Sequence, residues 1–363
     1  MASPLSKARD MSAPARSQDP SRSRSCELVR LGNADAADWL HQVCEDVVAD
    51  DVPAALRLAS RLTLLTPAPG GGSTEVRWAL LASLGAADLT TARVIEAHLD
   101  AVAILAEAGA SQSLEATTWG VFAAEGPGQR LEATTDGDSW RLDGVKPWCS
   151  LAGELTHALV TAHTPDGRRL FAVSLSAEGV RPDVGAWHAR GLVHVPSGPV
   201  SFDGAPAVPV GSAGWYLQRP GFAYGGLGVA ACWYGGAVGL ARTLARSFHE
   251  RTPDDIALWH LGRVDVALHR ARAVLTEAAT AVDAGAATGS AGELLAARAR
   301  AVVADTAEQV LTSVGHALGP TPLALNEDHS RRVADLTLYL RQHHAERDEI
   351  ALGRRLSHVL APW

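Results

Sequence analysis

The chain has 363 residues, of which 47% are hydrophobic and 20% charged, with a formal net charge of −8. That length allows one large domain or two to three smaller ones, and the composition suits a globular protein with a sizeable core. The acidic balance and the lack of Lys/Arg runs argue against a nucleic-acid partner, and four scattered cysteines without CxxC spacing favour a reduced, cytoplasmic setting.

Residues 1–25 mix Ser, Pro, Ala and Arg with no apolar core, which predicts a disordered tail and not a secretory signal. No run of about 18 apolar residues is free of charge, so no membrane span is expected. From 26 to 115 the pattern is helical. Trp39, Val43, Val47 and Val48 recur close to i, i+4, i+8. The Pro/Gly loop at 66–74 ends in Ser73 and Thr74 ahead of Glu75, a helix start. Asp88 can cap the next helix, on which Ala92, Ile95, Leu99, Val102 and Leu105 mark one face, and Gly109 can end it.

From 116 to 212 the texture changes to short extended runs. The turns "TDGD" (135–138) and "PDGRR" (165–169) each sit between two of them and predict hairpins. These strands alternate with turns and not with helices, which predicts an antiparallel sandwich or barrel. From 213 to 363 three long helical segments precede a loop and a terminal helical segment. The expected fold class is α+β, in three parts.

Most local motifs carry little chemistry. Gly226, Gly228 and Ala231 have dinucleotide-turn spacing but lie in a helical run with no strand before it, which points to close helix packing. His249, His260 and His269 show no zinc spacing. Ser197 lacks the strand–turn–helix setting of a hydrolase nucleophile. Near the C-terminus, Val333, Leu336, Leu340, His343, Arg347 and Ile350 fall on one helical stripe, which predicts His343 inward and His344 outward.

Three phrases together resemble the acyl-CoA dehydrogenase superfamily: "WRLDGVKPWCSLAG" (140–153), "VGAWHARGLVHVPSGPVSFDGAPAVPV" (184–210) and "GGAVGLARTLARS" (235–247). The resemblance covers most of the chain after about residue 60. It implies an N-terminal helical domain, a middle antiparallel β-barrel and a C-terminal four-helix bundle. It also implies FAD, or FMN in the oxygenase-type relatives, held between barrel and bundle. Trp148 and Ser150 would then lie against the flavin ring, with Glu125 and Gly128 in the cofactor loop "VFAAEGPG" and Gly319 in a cofactor turn.

The two positions where the family keeps its base carry His343 and Val229 here, so neither has a carboxylate. A neutral imidazole can act as a general base at pH 7, which makes His343 the candidate, with His98 at the expected pocket roof. Three activities stay open: dehydrogenation of an acyl-CoA or acyl-carrier thioester, flavin-dependent oxygenation of a small aromatic substrate with electrons from a separate flavin reductase, and a non-catalytic partner subunit. The resemblance further implies a homodimer or homotetramer.

Overall fold

The structure, a computed structural model, describes residues 27–32, 38–110, 114, 116–137 and 139–357. The expectation for residues 1–25 lies outside them. Helices α1 (Asp38–Glu45), α2 (Val52–Leu62), α3 (Thr74–Ala87) and α4 (Leu89–Glu107) come first. The Asp51 carboxylate accepts from Ala54 N–H to open α2, and Asp88 accepts from Thr91 N–H at 2.7 Å to open α4. Gly109, at φ +61, ends α4 in the left-handed conformation that suits glycine. The first helix is shorter than its pattern suggests: it stops at Glu45, leaving Val48 exposed.

The strands are β1 (Trp119–Phe122), β2 (Leu131–Asp136), β3 (Ser139–Lys146), β4 (His157–Thr164), β5 (Gly167–Ser174), β6 (Val180–Pro182) and β7 (Val200–Val210). Both expected hairpins form, β2 with β3 and β4 with β5. The pairings β4–β2–β3–β7–β5 return to β4 and close a small barrel, with β1 on β4 and β6 on β7. The barrel is mixed and not antiparallel throughout, because β4 runs parallel to both β1 and β2. Loop 147–156 carries the chain back across the barrel after β3, so β4 starts at the same end as β1; Trp119 stacks on His157, its partner in register, at 4.7 Å.

Helices α5 (Trp215–Gln218), α6 (Gly221–Glu250), α7 (Asp255–Asp283), α8 (Gly289–Leu318), α9 (Pro320–Leu325), α10 (Glu327–Tyr339) and α11 (Glu346–Leu356) follow. The long helices α6, α7 and α8 pack on one another, α10 lies on α6, and α11 lies on α8. The close approach of α6 to α3 is at Gly235, where a Cβ would stand 2.0 Å from the Ala82 carbonyl; at Gly226 and Gly228 a Cβ would meet only side chains, at 3.4 Å. Among the described residues, no helix is long and apolar enough to cross a membrane.

Candidate functional site

The seam between barrel and helices gathers unusual backbone. Among the described residues, six non-glycines have positive φ, and three of them, Trp148, Leu151 and Leu192, lie in two loops that pack on each other. Cys149 N–H donates to the Gly198 carbonyl at 3.0 Å, and Leu151 N–H donates to the Pro196 carbonyl at 2.8 Å. Leu192 N–H donates to the buried Asp335 carboxylate of α10 at 2.5 Å, which ties the second loop to the helices. Gly191 makes this approach feasible, since a Cβ there would meet the Ala334 carbonyl at 2.1 Å. Strained conformations of this kind cost about 1–3 kcal/mol each and persist where the surroundings enforce them, often at functional sites.

Trp148 is held in this strained loop with its side chain turned out, the residue 59% exposed. Two residues on, a directed row of hydrogen bonds crosses the seam. Ser197 Oγ donates to the Val195 carbonyl at 3.1 Å, so the 2.8 Å contact between Ser150 and Ser197 is donated by Ser150. Ser150 in turn accepts from Arg93 Nη2 at 3.2 Å. Arg93 Nη1 pairs with Glu96 at 2.8 Å, and Tyr339 O–H donates to the same Glu96 oxygen at 3.3 Å. The row thus runs from the barrel loops through α4 to the end of α10.

His343 stands just past this end. Tyr339 and His343 both meet Trp233 edge-on, at ring distances of 6.3 and 6.4 Å, and the Arg300 guanidinium lies 4.8 Å over the same indole. The terminal segment is not one helix: α10 gives way to a single 3-10 turn at 340–342, His343 is extended, and Ala345 has φ +47. The inward–outward difference survives the break, with side-chain exposure of 9% for His343 and 65% for His344. Burial holds the His343 imidazole below its ordinary pKa, Arg300 adds to that, and Asp348, with Oδ2 3.8 Å from Nε2, opposes it. The ring is therefore mostly neutral at pH 7.

His98 belongs elsewhere. It is fully buried; its Nε2 lies 2.8 Å from Thr63 Oγ1 and its Nδ1 accepts from Trp119 N–H at 3.2 Å. Burial, with Arg77 adding to it, depresses its pKa to about 4. Both nitrogens are engaged in fixing α4 to α2 and β1, so His98 is a structural residue and not the roof of a cavity shared with His343. The Glu125 carboxylate is likewise committed, to Lys146 at 2.7 Å and Arg168 at 3.0 Å, where it neutralises a lysine buried in the barrel. Its turn nevertheless lies beside Trp148: Gly126 abuts Pro147, and Gly128, at φ +72, has open space where a Cβ would project. Gly319 joins α8 to α9 at φ +67, also with open space around it. No described contact links Gly319 to the seam residues.

The residues that sequence reading passes over are Arg93, Glu96 and Asp100. They lie on α4, which also carries Thr90, Thr91, His98 and Glu107. Burial raises the Glu96 carboxyl to about 7 against the pull of Arg93.

No family model matches the chain, and no curated protein matches it. Among solved structures, it is similar to TdsC from Paenibacillus sp. A11-2 in complex with FMN and indole, at 18% identity and TM-score 0.74, over 86% of this chain and 92% of that one. It is similar to KijD3 in complex with FMN and dTDP-3-amino-2,3,6-trideoxy-4-keto-3-methyl-D-glucose, at 18% identity and TM-score 0.71, over 88% and 90%. It is also similar to glutaryl-CoA dehydrogenase from Mycobacterium smegmatis, at 18% identity and TM-score 0.74, over 89% and 90%. At such identity the likeness establishes the fold, which is that of the acyl-CoA dehydrogenases.

Proposed function

We propose that this chain, built on the acyl-CoA dehydrogenase fold, is a flavin-dependent oxidoreductase whose site lies at the barrel–helix seam, and that it oxygenates a small polar or aromatic substrate. The carrying observation is the charged face of α4. Arg93 and Glu96 form an ion pair in the seam, and Asp100 lies one turn further along. The acyl chain of a thioester needs an apolar slot, because charged groups left facing hydrocarbon are costly. The similar structures include a dibenzothiophene monooxygenase and a nitrososynthase beside the dehydrogenase, which is in keeping with this reading.

The residues present fit the ring of a flavin. The exposed Trp148 indole offers a stacking face, and the strained loop 148–151 fixes its angle. The open turn at Gly126–Gln129 leaves room beside it for the phosphate-bearing arm. Ser150 contributes an acceptor and a fixed backbone, since its own proton is held by Ser197. A bound flavin supplies two-electron redox chemistry, as hydride acceptor when oxidised or as donor to O2 when reduced. His343, neutral and half-enclosed, can take up a proton, while Tyr339 and Arg93 keep the seam ordered. Dehydrogenation is the second reading, favoured by the largely buried His343 imidazole beside Trp233.

An aerobic assay with NADH, a flavin reductase and FMN or FAD decides between the two. Oxygen uptake that depends on this chain and yields an oxygenated indole or amine supports the proposal. Anaerobic bleaching of the bound flavin by octanoyl-CoA, with no such uptake, supports dehydrogenation instead. We further propose that two or four copies associate through the outer face of α7, where Ile256, Trp259 and Val266 are exposed on one stripe.

A further inference from the structure

Asp335 lies on α10 and is 2% exposed, yet its carboxylate reaches across to the barrel, where Oδ1 accepts from Leu192 N–H at 2.5 Å. Leu192 has φ +49, a conformation that a non-glycine residue keeps where its surroundings enforce it. A run of contacts leads from Leu192 to the Trp148 loop. The Leu192 carbonyl accepts from Trp187 Nε1 at 3.2 Å and from Val195 N–H at 2.9 Å, which closes a turn over 192–195. Directly after that turn, Pro196 and Gly198 offer their carbonyls to Leu151 N–H and Cys149 N–H, and Ser197 takes the Ser150 proton. These three bonds span 149–151, next to Trp148, which itself has φ +59.

A carboxylate is a costly acceptor in this place. Burial raises Asp335 to about 6; Asp88, at the α3–α4 corner, and Asp50, before α2, add to the rise, while the Leu192 N–H and Arg331 oppose it. Arg331, on the same helix, is itself committed to Asp50 at 2.5 Å and Asp328 at 3.3 Å. From the loop side, Arg190 and His194 border, with Asp335 and Glu327, a surface cavity of about 540 Å3. An amide oxygen in the same position would accept the same N–H without burying a charge. What the carboxylate adds is strength, since a bond to an ionised acceptor is roughly twice as strong as a neutral one.

We propose that Asp335 is the positioning residue of the Trp148 loop: its carboxylate holds Leu192 in the left-handed conformation, and through residues 192–198 that hold sets the backbone of 148–151. The value of this to the protein rests on the flavin reading above; the coupling itself rests on the geometry. Asp335 acts on Trp148 through two loops. Once its charge is gone, the Leu192 amide loses its strong acceptor, the strained residue relaxes, and the angle of Trp148 changes with it.

The test is fluorine NMR of the full chain without flavin, carrying 5-fluorotryptophan, with two signals assigned by Trp187→Phe and Trp148→Phe. Trp187 reports on the turn, through its bond to Leu192; Trp148 reports on the loop that the turn holds. Asp335→Asn keeps the shape of the side chain and removes its charge. Both signals should shift in that variant at about pH 8, where the wild-type carboxyl is ionised, while Trp259, out on α7, should stay in place. In the wild type both should shift as pH falls, with a midpoint near 6 and toward the positions of the variant. That step should persist in His194→Gln, which removes the histidine bordering the same cavity. A Trp187 signal that moves while Trp148 stays would make Asp335 a structural bond alone and overturn the proposal, as would two unmoved signals or a step that His194→Gln abolishes. Should Asp335→Asn not fold, the wild-type titration decides by itself, and the lack of a common step at Trp187 and Trp148 between about pH 8 and 5 overturns the proposal. No flavin is present, so such a failure leaves the flavin reading standing; failure of that reading shows separately, as a chain that stays colourless after incubation with FMN or FAD.

Discussion

His98 and His343 carry the same imidazole and meet opposite surroundings. At His98 both nitrogens are engaged and the pKa is depressed to about 4. Between pH 6.5 and 4 the unfolded chain takes up a proton there and the folded chain does not. Stability therefore rises with pH across that window and is lost as pH falls through it, by up to about 3 kcal/mol. Calorimetric Tm values should drop more steeply with acid in the wild type than in His98→Gln; parallel curves would contradict the structural role. His343→Ala should cut turnover by about 10²–10⁴ if it moves a proton in the reaction, and His344→Ala should do little, both read by steady-state kinetics. Apolar periodicity told the inward histidine from the outward one at 343 and 344, but it says nothing of what fills the space in front of a side chain, so His98 was misplaced. Glu96 and Asp100 left no such signal: with Arg93 they fall on one helical face of "ARVIEAHLDAVAIL" (92–105), the spacing that a solvated face also shows.

At the scale of elements, caps and turns were legible because their chemistry is local. Asp88 caps α4, Gly109 ends it, and both hairpins stand where their turns put them. The direction of β4 was not, since parallel pairing with β1 and β2 depends on where a ten-residue loop returns the chain. Nor was the break between α10 and α11, because "RQHHAERD" (341–348) contains no Gly or Pro. That break makes a prediction. Ala345 holds φ +47 and ψ −119, a region suited to glycine. Ala345→Gly should raise stability by about 1 kcal/mol in denaturant titrations; a loss would show that the break is not strained. Gly235 makes the opposite case. With the Ala82 carbonyl 2.0 Å from its would-be Cβ, Gly235→Ala should force α3 and α6 apart and cost about 2–3 kcal/mol. An unchanged midpoint would mean that the crossing is slack.

For the molecule as a whole, three phrases far apart in sequence pointed to one architecture, and the closed barrel between helices agrees with it. The site was less legible, because its members come from α4, two barrel loops and the end of α10, and no local pattern relates Arg93 to Ser150 or Tyr339. Assembly is checked by light scattering. Trp259→Glu, on the outer stripe of α7, should reduce a dimer or tetramer to monomers, and an unchanged mass would place the contact elsewhere. The central claim is that the seam binds a flavin against Trp148. Its direct measurement is the visible spectrum of the wild type and of Trp148→Ala after incubation with FMN or FAD and removal of free flavin. The wild type should be yellow with quenched flavin fluorescence, and the variant should fold normally but bind flavin about two- to tenfold more weakly, since one stacked aromatic is worth about 0.5–1.5 kcal/mol. A wild type that retains neither flavin, or a variant that holds it as tightly as the wild type, would contradict it.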